Sequence, residues 1–257
     1  MANKSIDLNA DLGEGFGPWK MGDDLAMLDV VSSANIACGF HAGDPDIVRA
    51  TVQAAKARGV AIGAHAGFPD LRGFGRRRMN VSTAELENMI AYQVGAVCAV
   101  ASLEGYPITY VKTHGALGNM CNDDDDWAMA VGRGIKAVDP NLIFLVMPAL
   151  ASERAAERLG LAAFNEIYAD RTYDDSFNLT DRQLPGAVLH DPQEAVAQIA
   201  AMLREGGLIS TGGKTYPTRI DSVCVHGDNP ESLAMAVAVR QQLEQAGFAV
   251  KPFAARA

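Results

Sequence analysis

The sequence predicts an α/β protein, a TIM-like (β/α) barrel of seven strands formed as a single domain over residues 1–257. Strand-like and helix-like segments alternate from end to end, which implies a parallel sheet with helices outside it. Seven or eight such units in about 250 residues match the size of a barrel. The strands also carry polar residues at alternate positions. In Ser5–Asp11, residues Asp7, Asn9 and Asp11 share one face, while Ile6, Leu8 and Ala10 share the other. Lys112 and His114 lie on the side of Tyr110, and His226 and Asp228 continue the face of Cys224. A polar inner face with an apolar outer one suits a barrel with an interior site. An open sheet covered by helices on both faces, the competing architecture, would show continuous apolar runs.

The candidate strands are Ser5–Asn9, Ala34–Cys38, Val60–Ala64, Thr109–Lys112, Leu142–Met147, Ala162–Glu166, Ala187–His190 and Val223–His226. Each is a short apolar run bounded by turn residues. The candidate helices are Asp24–Ser32, Pro45–Arg58, Thr83–Glu104, Asp124–Val138, Ser152–Leu159, Pro192–Glu205 and Pro230–Ala246. Asp44-Pro45, Asp191-Pro192 and Asn229-Pro230 each set a capping side chain before a proline at the first helical position. Ser82 with Glu85 fits a capping box. Gly59, Gly105, Gly160, Gly206 and Gly247 follow helical runs, where a left-handed residue ends a helix well. The acidic run Asp123–Asp126 opens a helix and suits its dipole.

Composition narrows the function. The chain has 22 Lys and Arg against 31 Asp and Glu, a net charge of −9. This argues against a nucleic-acid binder and gives no reason to sit on an anionic membrane. The four cysteines, Cys38, Cys98, Cys121 and Cys224, are scattered without CxxC spacing, as reduced thiols of a cytoplasmic protein would be. Residues 1–7 contain no apolar run of the signal-peptide type, and no uninterrupted apolar stretch is long enough to span a bilayer.

All five histidines close short apolar runs. In parallel barrels catalysis sits at the C-terminal strand ends. Six clusters fall there: Asn9–Gly15 with Asp11 and Glu14, His41–Asp44, His65, Lys112–Gly115 with His114, Glu166 with Asp170 and Arg171, and His226–Asn229 with Asp228. Asp44 and Asn229 double as helix caps, His190 reads as structural, and Cys38 and Cys224 read as small buried residues. Asp7, deeper in its strand, could be a buried partner of Lys112. Asp11, His41 and His65 could together ligate a divalent metal, although no local HxH or HExxH spacing enforces it. The Gly/Pro/aromatic stretch from Gly67 to Arg78 is long for a connection in such a fold. It could be a lid or a phosphate grip with Arg76 as a clamp, against a solvated basic turn or an intersubunit contact. The stretch from Gly206 to Thr215 imitates a Walker A motif but has five residues, not four, between Gly207 and Gly213, and it follows a helix. It is not a P-loop.

Taken together, Asp7–Glu14, Ser33–Asp44, Gly67–Asp70 with Gly73–Arg76, Lys112–Leu117, Ala169–Arg171 and Val225–Asn229 resemble the LamB/YcsF family over essentially the whole chain. The string ANIACGFHAGD (residues 34–44) is the most specific part of the match. The resemblance implies a barrel of the glycoside hydrolase/deacetylase type. It also implies ATP-dependent hydrolytic opening of 5-oxo-L-proline, or a related lactam, to L-glutamate, with ATP and Mg²⁺ and two partner subunits, B and C. The chain departs from the family pattern at Ala66, Thr113 and Gly118. For that chemistry Lys112 is the candidate phosphate or oxyanion partner, with Arg76 and Arg171 as further ATP-binding or phosphate-binding groups. Asp11 and Glu14 are candidate bases or Mg²⁺ ligands. His41, His65 and His114 are candidate acid/base groups, and His226 with Asp228 is a candidate oriented imidazole. Two other classes remain open: a metal-dependent deacetylase or amide hydrolase acting without ATP, and a non-catalytic lactam-binding subunit.

Overall fold

The computed structural model describes residues 5–226 and 230–253. β1 (Ser5–Leu12), β2 (Ser33–Ala37), β3 (Ala61–Ala66), β4 (Tyr110–Thr113), β5 (Ile143–Val146) and β6 (Ala163–Tyr168) lie side by side in chain order, all parallel. After a small antiparallel hairpin of β7 (Gly207–Ile209) and β8 (Thr215–Pro217), β9 (Ser222–Val225) pairs with both β6 and β1. The ring of seven strands is therefore closed. β10 (Ala249–Val250) adds to the first two residues of β1.

The helices are α1 (Asp24–Leu28), α2 (Pro45–Arg58), α3 (Thr83–Leu103), α4 (Gly115–Asp123), α5 (Asp125–Val138), α6 (Ala151–Leu159), α7 (Pro192–Glu205) and α8 (Pro230–Gln245). Among the described residues the expected caps form, while Asn229, the anticipated cap of α8, lies outside them. The Asp44 carboxylate accepts from the amides of Asp46 and Ile47, Ser82 and Glu85 make a reciprocal capping box, and Gly59, Gly160 and Gly206 end their helices in the left-handed region. By length and composition α3 alone among the described helices would suffice to cross a membrane, with a mean hydropathy of 1.3. Here it packs Leu86, Ile90, Val94, Val97 and Ala101 inward. Gly134 of α5 lies so close to it that a Cβ there would stand 2.9 Å from Cβ of Ile90.

Strand alternation sorts the barrel into two cores. Outward-facing Ile6, Leu8, Ala10, Ile36, Ile62, Val111, Phe144, Ile167 and Val223 join the helices in one continuous apolar layer. Inside, the strand starts are filled by Tyr110, Ile143 and Leu145, with Phe164 and Phe253 packed against them. The Tyr110 ring lies across Gly63 of β3, where a Cβ would come within 2.3 Å of it. Above this floor the interior turns polar: Asp7, Asn9, Asn35, Lys112, Glu166 and Ser222 are all buried.

One expected strand is absent. Residues 187–190 make only an isolated bridge, Val188 with Arg171, and hydrogen bonds to Thr172 and Asp170 in the segment that follows β6. The apolar run is an anchor for a long loop, too short to insert between β6 and β9. The Walker look-alike is the β7–β8 hairpin region, tied by Ser210 Oγ to Asp175.

A charged cavity at the C-terminal mouth of the barrel

β1 delivers the first carboxylates. Asp7, Asn9 and Asp11 point into the barrel at successive depths, and each meets different partners. Asp7 accepts hydrogen bonds from Ser32, Ser33 and Ser222. It is not the partner of Lys112 that its position in the strand suggested. Burial pushes its carboxyl up to about 6 despite the three hydroxyls. Asn9 bridges Ser222 and Asn35, and Asn35 Nδ2 reaches Asp11 Oδ1 at 2.8 Å.

Lys112 is the centre of this network. It is 2% exposed, and its ammonium lies 3.1 Å from Glu166, 3.4 Å from Asp11, 3.3 Å from Asn9 Oδ1 and 3.0 Å from Cys224 Sγ. The Tyr168 ring stands 5.0 Å from the ammonium, and its hydroxyl donates to Glu166. Burial disfavours the charge, but Asp11, Cys224 and Glu166 together hold the ammonium well above its usual range. Burial likewise opposes ionisation of Asp11. His65 and Lys112 beside it nevertheless hold its carboxyl well below the usual value. Cys224, expected as inert packing, is also a hydrogen-bond partner of the lysine, and burial keeps its thiol protonated.

Three histidines from three different segments meet on one wall. His65 Nε2 is 3.2 Å from Asp11 Oδ2 and 3.0 Å from His114 Nδ1. His41 stacks on His114 with ring centroids 3.8 Å apart. His41 Nε2 and His114 Nδ1 face Glu14 Oε1 at 3.7 and 3.9 Å. Burial, then the neighbouring imidazoles, push His41 well below its usual range and His114 to about 3, so both rings are neutral at neutral pH. Glu14, His41, His65 and His114 are all buried, and their ligand atoms lie within 4.8 Å of one another, so these four could hold a metal. This set shares His41 and His65 with the trio anticipated from sequence. Glu14 and His114 join it, and Asp11 stands beside it, bonded to His65.

The segment from Gly67 to Arg78 roofs this wall. It makes a tight turn at Leu71–Gly73 and carries Phe74 and Gly75 at positive φ, 53° and 63°. The Phe74 carbonyl meets His114 Nε2 at 2.8 Å, and the Gly75 carbonyl accepts from Ala116 at the start of α4. Arg76 lies over the Phe74 ring and lines the cavity. Arg77 is instead tied to Asp70, and Arg78 to Asp123.

The opposite wall holds His226, whose Nδ1 is 2.6 Å from Asp170 Oδ2. Burial raises Asp170, but the imidazole outweighs it and holds the carboxyl low. Asp228, the anticipated partner of His226, lies outside the described residues. Arg171 also lines the cavity, but its guanidinium donates to the carbonyls of Ala187 and Thr180 and so braces the long loop after β6. The space between the walls is about 140 Å³, with Asp11, Glu14, Lys112, Glu166, His226 and Arg182 among its lining. Thr113 and Gly118, two of the positions that depart from the family pattern, line it as well.

Sequence reasoning named Glu166 and Asp170 among the strand-end clusters but gave them no role, and it passed over Tyr168. The alternation Phe164, Glu166, Tyr168 along β6 carries the signal for two of them. Nothing in the sequence pairs Asp170 with a histidine 56 residues away.

Residues 6–257 match the LamB/YcsF family. The A-type subunit of 5-oxoprolinase from Rhodopseudomonas palustris (strain BisB5) is 54% identical over 252 residues, covering 98% of this chain and 99% of that protein. The crystal structure of the lactam utilization protein from Thermus thermophilus superposes with a TM-score of 0.90 at 42% identity, covering 96% of this chain and 99% of that one. The catalytic domain of peptidoglycan N-acetylglucosamine deacetylase from Eubacterium rectale ATCC 33656 superposes at 0.52 with 11% identity, covering 98% and 89%. That last likeness is one of fold and sets the barrel beside the deacetylases.

Proposed function

The chain belongs to the LamB/YcsF family, and from that premise we propose that it opens the ring of 5-oxo-L-proline to give L-glutamate, in an ATP-dependent reaction shared with partner subunits B and C. The observation that carries this reading is the cavity. Its floor is a buried ammonium set between two carboxylates, and its two walls are separate imidazole systems. At about 140 Å³ it suits one small ring acid. Sites for drug-sized ligands run from roughly 300 to 1,000 Å³. We therefore assign the nucleotide and its Mg²⁺ to the partner side, with this chain receiving the lactam.

A five-membered lactam is a resonance-stabilised amide with a poor leaving group. Transfer of a phosphoryl group from ATP to its carbonyl oxygen makes the carbon electrophilic. Water adds to that carbon, the C–N bond breaks as the nitrogen takes a proton, and a second water releases phosphate to leave glutamate. Lys112, held charged, would stabilise the oxygen that gains negative charge. Asp11 is held ionised and cannot act as an acid at neutral pH. Beside His65 and the neutral His114 it would orient water and take its proton. His226, aligned by Asp170, would serve the ring nitrogen. Arg76 and Arg182 on the lining favour the substrate carboxylate and the phosphoryl group. The four free cysteines suit a reducing cytoplasm, where we place the reaction.

The test is ATP-dependent glutamate release by the purified chain with both partner subunits. Lys112→Met and Asp11→Asn should each lower kcat by about 100-fold or more, the scale of losing a preorganised charge at the reacting centre. Near wild-type turnover in both variants rejects this placement of the site. The Glu14 and histidine cluster favours a second reading, amide hydrolysis by this chain alone with a metal and without ATP. Glutamate formed without ATP, abolished by chelation and restored by zinc, would replace the first reading with the second.

A further inference from the structure

We propose that Glu14, His41, His65 and His114 bind one divalent transition-metal ion of the zinc class at the mouth of the barrel. The proposal deepens the hydrolytic reading above and rests on it for the ion's use, while the ion's presence is argued from geometry alone. Three imidazoles and one carboxylate are a donor set for zinc, manganese or iron, whereas magnesium and calcium take oxygen ligands.

Ligands of a tetrahedral ion with bonds of about 2.0–2.1 Å stand roughly 3.3 Å apart. In this cluster His65 Nε2 and His114 Nδ1 are 3.0 Å apart, His41 Nε2 and Glu14 Oε1 are 3.7 Å apart, and His114 Nδ1 and Glu14 Oε1 are 3.9 Å apart. All four donors lie within 4.8 Å of one another, and these three separations bracket the spacing that such an ion needs. One of them is otherwise unexplained: His41 is 1% exposed, and neither of its ring nitrogens makes a hydrogen bond. A buried polar atom left unsatisfied carries its full desolvation penalty, and an ion at Nε2 removes one such penalty. A hydrogen-bonded relay of Asp11, His65 and His114 accounts for the atoms that face one another there, but leaves both nitrogens of His41, and His65 Nδ1, without a partner.

The surroundings orient the donors. A carbonyl can only accept, so the contact of His114 Nε2 with the Phe74 carbonyl puts the proton on Nε2 and leaves the Nδ1 lone pair facing the cluster. Two glycines make room for the rings. A Cβ at Gly67 would stand 2.6 Å from His41 Nδ1, and one at Gly75 would stand 2.8 Å from both His114 Cδ2 and His41 Cβ. Bound there, the ion would supply Lewis acidity to the cavity that Asp11 and Lys112 line.

The test is elemental analysis of the full chain, freed of any histidine tag, followed by chelation and calorimetric titration with Zn²⁺ and with Co²⁺. About one ion per chain is expected, with visible Co²⁺ absorption of a four- or five-coordinate site. His41→Ala and Glu14→Gln should each weaken binding by at least about tenfold, and near-wild-type circular dichroism of the metal-free variants would show that they fold. No saturable binding of either ion by the wild-type chain overturns the proposal, as does undiminished binding in folded variants of both residues. The two readings fail separately. A chain that binds neither ion but still releases glutamate with its partners and ATP sinks the ion and spares the reaction. A chain that binds the ion but yields no glutamate does the reverse.

Discussion

Asp7 and Asp11 sit four residues apart on one face of one strand, and their carboxyls are shifted in opposite directions. Asp11 has an ammonium and an imidazole beside it, and both reward its charge. Asp7 has three serine hydroxyls, and Glu166 adds a like charge, so burial dominates and its carboxyl titrates at about 6. Because the folded value lies above the ordinary 3.8, the stabilisation from the protonated form is complete below the lower value. It is lost as pH rises through the upper one. The gap corresponds to about 3 kcal/mol. Asp7→Asn keeps an oxygen acceptor for the serines and removes the titration. Its unfolding free energy, from denaturant titrations across this window, should stay flat where the wild type falls, and the variant should be the more stable at neutral pH. Parallel profiles for the two proteins would show that Asp7 ionises freely in the fold. No feature of the sequence separates the two aspartates, since both read as polar residues on the inward face of β1. The difference is made by His65 and Lys112, which stand beside Asp11 and leave Asp7 to burial.

The roof of the site, residues 67–78, shows how an element acts through its backbone. Its Phe74 and Gly75 carbonyls bond His114 and Ala116, and only a turn with two successive residues at positive φ presents both. Gly75→Ala would strain that turn and drive a methyl group against the stacked His41 and His114 rings. The variant should lose about 1–3 kcal/mol of stability. Its loss of turnover should exceed what its folded fraction explains, as thermal denaturation and kinetics on the same preparation would reveal. At this scale the helices were the most legible elements, because caps and prolines are local signals: Asp44-Pro45, Asp191-Pro192 and Ser82 with Glu85 all cap as their spacing predicts. The run at 187–190 misled because an apolar triplet anchoring a loop reads like a buried strand. α4, whose first residue follows His114 directly, was missed because it carries no side-chain cap.

At the scale of the molecule, the two ends of the barrel divide the work. The strand ends carry charge, and the strand starts are sealed by aromatic rings. The C-terminal segment takes part in that seal: Phe253 sits with its ring centroid 5.1 Å from those of both Tyr110 and Phe164. Phe253→Ala should destabilise the protein by about 1–3 kcal/mol, less than for a fully buried ring because Phe253 is half-buried. Hydrogen exchange should quicken most at the starts of β4, β5 and β6. Exchange unchanged there would mean that the floor is complete without the C-terminal ring.

The sequence by itself determined the class of the fold and the rim on which the chemistry lies. Both follow from periodicity: alternate residues of a strand face opposite sides, and repeated strand–helix units leave few ways to bury the apolar side. It also placed Asp11, Glu14, His41, His65, Lys112, His114 and His226 at that rim. Only the tertiary structure decided who meets whom. Lys112 binds Asp11, Glu166 and Cys224, His226 takes Asp170, and Glu14 joins three histidines drawn from separate segments. Those partners lie far apart along the chain, and the register of a closed barrel, not any local spacing, brings them together.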